Sequence, residues 1–136
     1  GLKPEELTVF RYEDEGVATL EDGLYVKEDN LKDPAFKDKM VRFVRASMKG
    51  WKYAEENQSE AAQIVVDNDD SGAQTVDHNT IQMGEIAKLT AGSNGALLPS
   101  DFDRTVSSLM TGGDDPVITK MPEGAWTHVI TDAALN

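Results

Sequence analysis

The chain has 136 residues, of which 13 are Lys or Arg and 25 are Asp or Glu, so its formal net charge is −12. This length fits one domain with a moderate core. The acidic excess argues against nucleic acid or an anionic membrane surface as a partner, because binding to phosphates depends on Lys and Arg. The chain has no cysteine, which excludes disulfides, thiolate metal sites and cysteine nucleophiles.

The first ten residues, GLKPEELTVF, contain no basic region followed by an apolar one. No run in the sequence approaches the roughly 20 apolar residues of a membrane span. This segment is therefore predicted to hold neither a signal peptide nor a membrane anchor. A strand-like run follows almost at once, so we expect the chain to be a fragment of a longer protein.

Short apolar runs predict two or three β-strands. Thr8–Tyr12 alternates and is rich in β-branched and aromatic residues, and Gly23–Val26 is a second apolar run after a turn. A third extended piece is predicted at Val117–Thr119. Because so few short strands do not form an independent sheet, we expect the rest of the sheet to lie outside this sequence.

About five amphipathic helices are predicted after residue 32. The first runs over Pro34–Glu56, behind a good N-cap residue. Gly50 weakens it by about 1 kcal/mol relative to alanine, which usually indicates close packing by a neighbouring segment. Asn57 is predicted to end this helix and to start the second one through a capping box with Glu60.

Three more helices follow polar loops. Thr75 is predicted to cap the third helix and Ser100 the fourth, and a short fifth helix carries Trp126 and Val129 on one face. The predicted fold class is therefore α/β, helix-rich, with two or three short strands and about five helices.

Motifs for catalysis and metal binding are missing or incomplete. The loop Asp67–His78 resembles an EF-hand loop at its first positions, but the twelfth position is His78 rather than a bidentate glutamate. His128 and Asp132 are four residues apart on a predicted helix, and the sequence suggests no third metal ligand. Neither a G-x-S-x-G elbow nor a glycine-rich phosphate loop occurs. We predict no catalytic residue, no metal site and no cofactor, and we expect that the protein is not an enzyme.

The stretch FRYEDEGV, residues 10–17, is the best candidate for a ligand site. Tyr12 ends a predicted strand, and Glu13, Asp14 and Glu15 follow it directly. In open α/β sheets ligands collect beyond the strand ends, and this cluster joins a flat aromatic surface to polar groups. On the pattern alone, a solvated acidic turn is the simpler interpretation.

The order of segments resembles one family of proteins. An acidic D-E-G-V turn and a strand E-D-G-L-Y-V precede D-P-A-F-x-D-K-x-V-R-F-x-R-A-S-x-K-G-W-x-Y-A-x-E-N-x-x-E-A-A. This order is similar to the carboxy-terminal half of type II periplasmic solute-binding proteins. The nearest branch serves thiamine-pyrimidine, nitrate and alkanesulfonate uptake through ABC importers. Residues Asp33–Ala62 carry the strongest similarity.

The resemblance implies a fold of two α/β lobes with a ligand cleft between them. Residues 1–20 would then form the end of the second lobe and a hinge crossover, with Gly16 and Val17 as hinge residues. Residues 21–136 would form the carboxy-terminal part of the first lobe and its outer helices. On this resemblance, residues 10–17 are expected to form a hinge and to contribute part of a ligand site.

The resemblance also implies roles for the four residues that precede the hinge. Tyr12 could stack on a planar ligand. Glu13 or Glu15 could accept hydrogen bonds from an amine on that ligand, and Asp14 is assigned to the same ligand site.

The implied function is capture of a small polar or aromatic solute for the membrane permease of an ABC importer. The solute would resemble a thiamine-pyrimidine precursor, a sulfonate or nitrate, and the protein would be periplasmic or lipid-anchored outside the cytoplasm. One alternative is a helix-rich interaction module without a small-molecule site. Another is a thiamine pyrimidine synthase-like enzyme, which would need iron and a cysteine cluster upstream. As a fragment, the chain should expose an unpaired sheet edge or hide it in a homodimer.

Overall fold

The computed structural model describes residues 2–135, which fall into two compact units. Unit 1 contains residues 2–25 and 97–127, and unit 2 contains residues 26–96 and 128–135. Short 3-10 turns occur at Pro4–Glu6 and Glu28–Lys32. The α-helices of the described chain are α1 (Pro34–Glu56), α2 (Gln58–Asp67), α3 (Val76–Thr90), α4 (Pro99–Thr111) and α5 (Val129–Leu135).

Residues 2–135 contain no β-strand, so the predicted α/β class is wrong for this chain. The three runs predicted as strands, Thr8–Tyr12, Gly23–Val26 and Val117–Thr119, have no ladder partner in the described chain. A strand persists only where a neighbour satisfies its backbone N–H and C=O groups. These runs have strand-like composition, but within residues 2–135 no neighbouring strand pairs with them.

Capping residues set the starts of α1 and α3 as predicted. The Asp33 carboxylate accepts the Ala35 N–H at 2.9 Å ahead of α1, and proline occupies the first helical position. The Thr75 hydroxyl accepts the His78 N–H at 3.3 Å ahead of α3. Both caps act within three residues of sequence.

Gly50 lies near the carboxyl end of α1 with open space around it. A Cβ atom added there would meet no heavy atom within 4 Å. The predicted close packing at Gly50 is therefore wrong, and the position is an exposed turn of helix with low helix propensity.

Asn57 ends α1 and starts α2 as predicted, but the capping box is wrong. The Asn57 Nδ2 donates to the Tyr53 carbonyl oxygen at 2.9 Å, and its side chain makes no cap bond to α2. The Glu60 carboxylate instead accepts a hydrogen bond from the Tyr53 hydroxyl, and this bond, with some desolvation and the carboxylate charge, raises the pKa of Tyr53 above its usual 10.0. Glu60 is thus used across the corner between the two helices.

The core of unit 2 lies where α2 packs along α3 and where α5 packs on α1. Ala61 and Ala62 of α2 are buried, and such small side chains allow helices to approach closely. The Arg45 guanidinium of α1 donates from Nε to the Ala134 oxygen at 3.1 Å and from Nη2 to the Ala133 oxygen at 2.7 Å. A cation is favourable at these carbonyls because they belong to the last turn of α5.

Unit 1 is built on α4. Val106 is buried on this helix, with 3% of its surface exposed. The two residues that precede it in α4 hold an irregular segment: the Thr105 hydroxyl accepts the Leu20 N–H at 2.8 Å, and the Arg104 Nε donates to the Ala18 carbonyl oxygen at 2.9 Å. Residues 18–20, which follow the acidic stretch, are therefore fixed to a helix.

The starts of α4 and α5 differ from the prediction. Helix α4 begins at Pro99 with Leu98 as N-cap residue, so Ser100 lies inside the helix instead of capping it. Proline fits the first helical position because its fixed φ is already helical. Trp126 precedes α5 and contacts the Phe102 ring edge-on, with centroids 6.3 Å apart.

Large apolar side chains are exposed throughout residues 2–26. Every leucine, valine and aromatic residue of this stretch exposes more than a third of its surface: Leu2, Leu7, Val9, Phe10, Tyr12, Val17, Leu20, Leu24, Tyr25 and Val26. Single exposed apolar residues are ordinary, whereas a dense set marks a surface suited to a partner. No helix of the described residues has both the length and the hydropathy of a membrane span.

Candidate functional site

Residues Tyr12–Val17, here called the acidic turn, form a tight turn in unit 1. The Gly16 N–H donates to the backbone carbonyl oxygen of Glu13 at 3.1 Å, and the Val17 N–H donates to the backbone carbonyl oxygen of Tyr12 at 2.9 Å. Gly16 has φ of +73°, a conformation that residues with a Cβ rarely adopt. The glycine therefore permits the turn that places three carboxylates side by side.

The side chains of the acidic turn are exposed. Tyr12 exposes 71% of its surface. Within residues 2–135 the carboxylates of Glu13, Asp14 and Glu15 make no hydrogen bond or ion pair. An accessible phenol ring thus lies in sequence next to three accessible carboxylates. The ligand and hinge roles assigned to the acidic turn stay predictions.

Neither metal pattern of the sequence assembles in the part of the chain that the structure describes. No group of three His, Asp or Glu side chains gathers there. In the loop after α2, the Asp69 Oδ1 accepts the Ser71 N–H at 2.9 Å and the Ser71 hydroxyl at 2.6 Å, while Oδ2 accepts the Gln74 N–H at 2.8 Å. Donors of the loop itself therefore engage both oxygens of Asp69, which resembles a structural cap more than a metal ligand.

These donors also set the protonation state of Asp69. The Ser71 hydroxyl contributes most, followed by the backbone N–H of Gln74, and together they lower the pKa of Asp69 below its usual 3.8. The carboxylate is consequently charged at neutral pH.

A concave surface of unit 2, here called the α2–α3 cleft, lies beside this loop. It has a volume of about 390 Å³ and lies between the end of α2, the loop of residues 68–75 and the first two turns of α3. Its lining residues are Val65, Asn68, Asp69, Gln74, Asn79, Gln82 and Met83. Four of the seven carry amides and one carries a carboxylate, so the cleft is rich in hydrogen-bonding groups.

Hydrogen bonds hold two of the amide side chains that line the α2–α3 cleft. Asn79 is only 2% exposed, and its Nδ2 donates to the Gln74 Oε1 at 2.9 Å and to the Thr75 oxygen at 3.0 Å. The Asn68 Nδ2 donates to the Ile64 oxygen at 2.8 Å. The side chains of Asn79 and Asn68 are therefore held by bonds within the chain itself.

The sequence patterns predicted no role for the α2–α3 cleft. Val65, Gln82 and Met83 come from two helices, and amide side chains have no diagnostic spacing of the kind that marks a metal or phosphate site. The one available signal was the concentration of Asn and Gln around the loop.

The comparison with known proteins concerns the first part of the chain, which contains the acidic turn, α1 and the start of α2. Residues 2–61 match the family described as NMT1/THI5 like. The predicted resemblance is confirmed over this range, consistent with the NMT1 branch of type II periplasmic binding proteins. The matched range is less than half of the 136 residues. No curated protein and no solved structure matches the chain.

NMT1/THI5-like proteins are mostly binding proteins, and the THI5 members are synthases. Residues 2–61 are thus similar to proteins with a solute-binding or related function. The acidic turn lies inside this segment, whereas the α2–α3 cleft lies beyond it.

Proposed function

We propose that the chain is part of the solute-binding component of an ABC importer. It captures a small polar or aromatic molecule between two lobes outside the cytoplasm and delivers it to a membrane permease. The observation that supports this proposal is the NMT1/THI5-like match over residues 2–61, which includes the acidic turn and nearly all of the Asp33–Ala62 pattern. Closure around the solute follows from contacts that only the closed form makes.

Charge at the acidic turn favours an aromatic amine, such as a thiamine-pyrimidine precursor, over nitrate or a sulfonate. Three adjacent carboxylates attract a cation or an N–H donor and repel an anion. The exposed ring of Tyr12 offers a flat surface on which a heteroaromatic ring can stack.

Isothermal titration calorimetry of the full-length protein tests the proposal. The probes are an aminopyrimidine precursor of thiamine, nitrate and an alkanesulfonate. We expect the aminopyrimidine to bind, and Tyr12→Ala and Glu15→Gln each to weaken it by about tenfold, which corresponds to one lost stacking contact or one charge-assisted hydrogen bond.

Two exposed residues of unit 1 provide matched controls. Tyr25→Ala removes a ring that is 81% exposed, and Glu123→Gln removes an exposed carboxylate. Neither control should change the dissociation constant. An equal loss of affinity for the aminopyrimidine in the controls and in the site variants would refute the assignment of the site. The absence of binding by any of the three probes would refute it as well.

A second candidate is a protein-interaction module without a small-molecule site. The helix-only architecture of residues 2–135 and the ten exposed apolar side chains of residues 2–26 favour it. Light scattering together with the same titrations separates the two functions. A chain that binds none of the solutes but forms a stable complex with a protein fits the module, whereas saturable solute binding fits the importer component.

A further inference from the structure

The α2–α3 cleft carries one formal charge in its lining. Asp69 supplies that charge, and no lysine, arginine or histidine lines the cleft. The chain around it has a net charge of −12. The local and the long-range potential therefore both favour a cation and disfavour an anion.

Hydrogen-bonding capacity remains in the cleft after the internal bonds are counted. The Asp69 Oδ2 accepts the Gln74 N–H, and the Ala73 N–H also favours the charged carboxylate, so Oδ2 keeps at most one of its two lone pairs for a ligand. The Asn68 amide donates from Nδ2, so its Oδ1 is an acceptor that no recorded bond engages. The cleft thus offers two oxygen acceptors close together in sequence, one charged and one neutral.

Donors are available on the other side of the network. The Thr75 carbonyl can only accept, so Asn79 must donate to it, and the second Asn79 hydrogen fixes Oε1 of Gln74 as an acceptor. The two N–H groups of Gln74 Nε2 therefore point away from Asn79 and can donate to a ligand. Gln82 is exposed, and its amide makes no hydrogen bond with another described residue.

The cleft also has an apolar wall and a suitable size. Val65 and Met83 line it beside the polar groups. The cleft is open to solvent, and its volume of about 390 Å³ can hold a small molecule on one side without enclosing it. A ligand with a short aliphatic chain between its polar ends would match this lining.

We propose that the α2–α3 cleft binds a small organic molecule with a primary ammonium group and a hydroxyl or carbonyl group, such as an amino alcohol. The ammonium donates to the Asp69 Oδ2 and the Asn68 Oδ1. The oxygen of the ligand accepts from the amides of Gln74 or Gln82, and its carbon chain lies on Val65 and Met83. This site is separate from the acidic turn and does not depend on the function proposed there.

Titration of the chain with ethanolamine, followed in proton–nitrogen correlation spectra, tests the proposal. We expect saturable shifts of the side-chain NH₂ signals of Asn68, Gln74 and Gln82, with a dissociation constant in the millimolar range for so small a ligand. Choline, which has no N–H donor on its ammonium, should bind at least about fivefold more weakly. Equal binding of choline, or no saturation up to about 0.1 M ethanolamine, would overturn it.

Two neighbouring carboxylates give a matched pair of variants. Asp69→Asn should weaken ethanolamine about tenfold or more, because it removes the charge that accepts the ammonium. Asp70→Asn removes the same charge at the next residue, which is exposed and lies outside the lining, and should change binding by less than about twofold. Equal losses would show a general charge effect and overturn the site.

A variant that leaves the loop network intact covers the case in which Asp69→Asn disrupts the fold. Gln82→Leu removes a lining amide for which no internal hydrogen bond is recorded, and should weaken ethanolamine about threefold or more. Gln63→Leu changes an exposed amide of α2 outside the lining and is its control. Unchanged binding in Gln82→Leu would refute the assigned contacts.

Discussion

Replacing Gly50 by alanine should stabilise the protein. Gly50 lies in α1, and nothing within 4 Å opposes an added Cβ atom. Alanine is better than glycine in a helix interior by about 0.8–1.0 kcal/mol, because it restricts the unfolded chain and shields the helix backbone. With no steric cost to subtract, Gly50→Ala should raise the free energy of unfolding by about 1 kcal/mol.

The shift in melting temperature depends on how much of the chain unfolds together. An unfolding entropy of about 2.1 cal/mol/K per residue gives a rise of about 3.5 °C if all 136 residues form one cooperative unit. The rise becomes about 6 °C if unit 2, with about 80 residues, unfolds alone. The change in the free energy of unfolding, divided by the shift in melting temperature, therefore reports the size of the cooperative unit that contains α1.

Urea denaturation and thermal melting followed by far-ultraviolet circular dichroism measure both quantities. Gly95→Ala is the contrasting variant, because Gly95 has φ of +79° and its added Cβ would lie 2.7 Å from the Met48 Sδ. It should destabilise unit 2 by about 1–2 kcal/mol. A loss of stability in Gly50→Ala would refute the reasoning and would show that another segment packs against this turn of α1.

Three further predictions concern side chains that hold each unit together. Arg45→Lys should lower the free energy of unfolding by about 1–2 kcal/mol in urea denaturation, because an ammonium does not reproduce the planar fork that bonds two carbonyls of α5. An unchanged value would mean that apolar contacts alone hold α5. Val106→Ala should cost about 2 kcal/mol in the same assay, since it removes two buried methyl groups, whereas the 75% exposed Val117 should tolerate alanine within about 0.5 kcal/mol. The pKa of Asp69 is lower in the folded state, so its contribution to stability is present above the usual value of 3.8 and is lost as the pH falls through the lower folded-state value. Stability measured from neutral to acid pH should therefore decline less steeply in Asp69→Asn than in Asp70→Asn, and superimposable curves would contradict this.

Most of the helical structure could be predicted from the sequence because its signals are local. The caps of Asp33 and Thr75 act on N–H groups two or three residues away, and those offsets can be read directly. The capping box at Asn57 failed for a tertiary reason. The Asn57 side chain bonds back to the Tyr53 carbonyl oxygen of the preceding helix, and the Glu60 carboxylate interacts with the Tyr53 hydroxyl, whose pKa it raises.

The strands could not be predicted correctly because pairing is not a local property. Thr8–Tyr12 has the composition of a strand, and composition describes how well a residue fits a sheet that already exists. In residues 2–135 no such sheet is present, so the run stays irregular with its apolar side chains exposed.

The two candidate sites also differ in whether they depend on local sequence or on packing between distant segments. The acidic turn is contiguous, and Gly16 at its end is a recognisable turn residue, so its position followed from the sequence. The α2–α3 cleft requires the packing of two helices and the internal bonds of Asn79, which no pattern in the sequence specifies.

Because apolar side chains of residues 2–26 are exposed, the solubility of the protein depends on its net charge. At neutral pH a net charge of −12 keeps molecules apart in spite of ten accessible apolar side chains. As the pH falls toward the isoelectric point of about 4.4, this repulsion disappears while the apolar surface stays. The acid-rich composition thus acts as a solubility device, and mild acidification alone should make the chain self-associate.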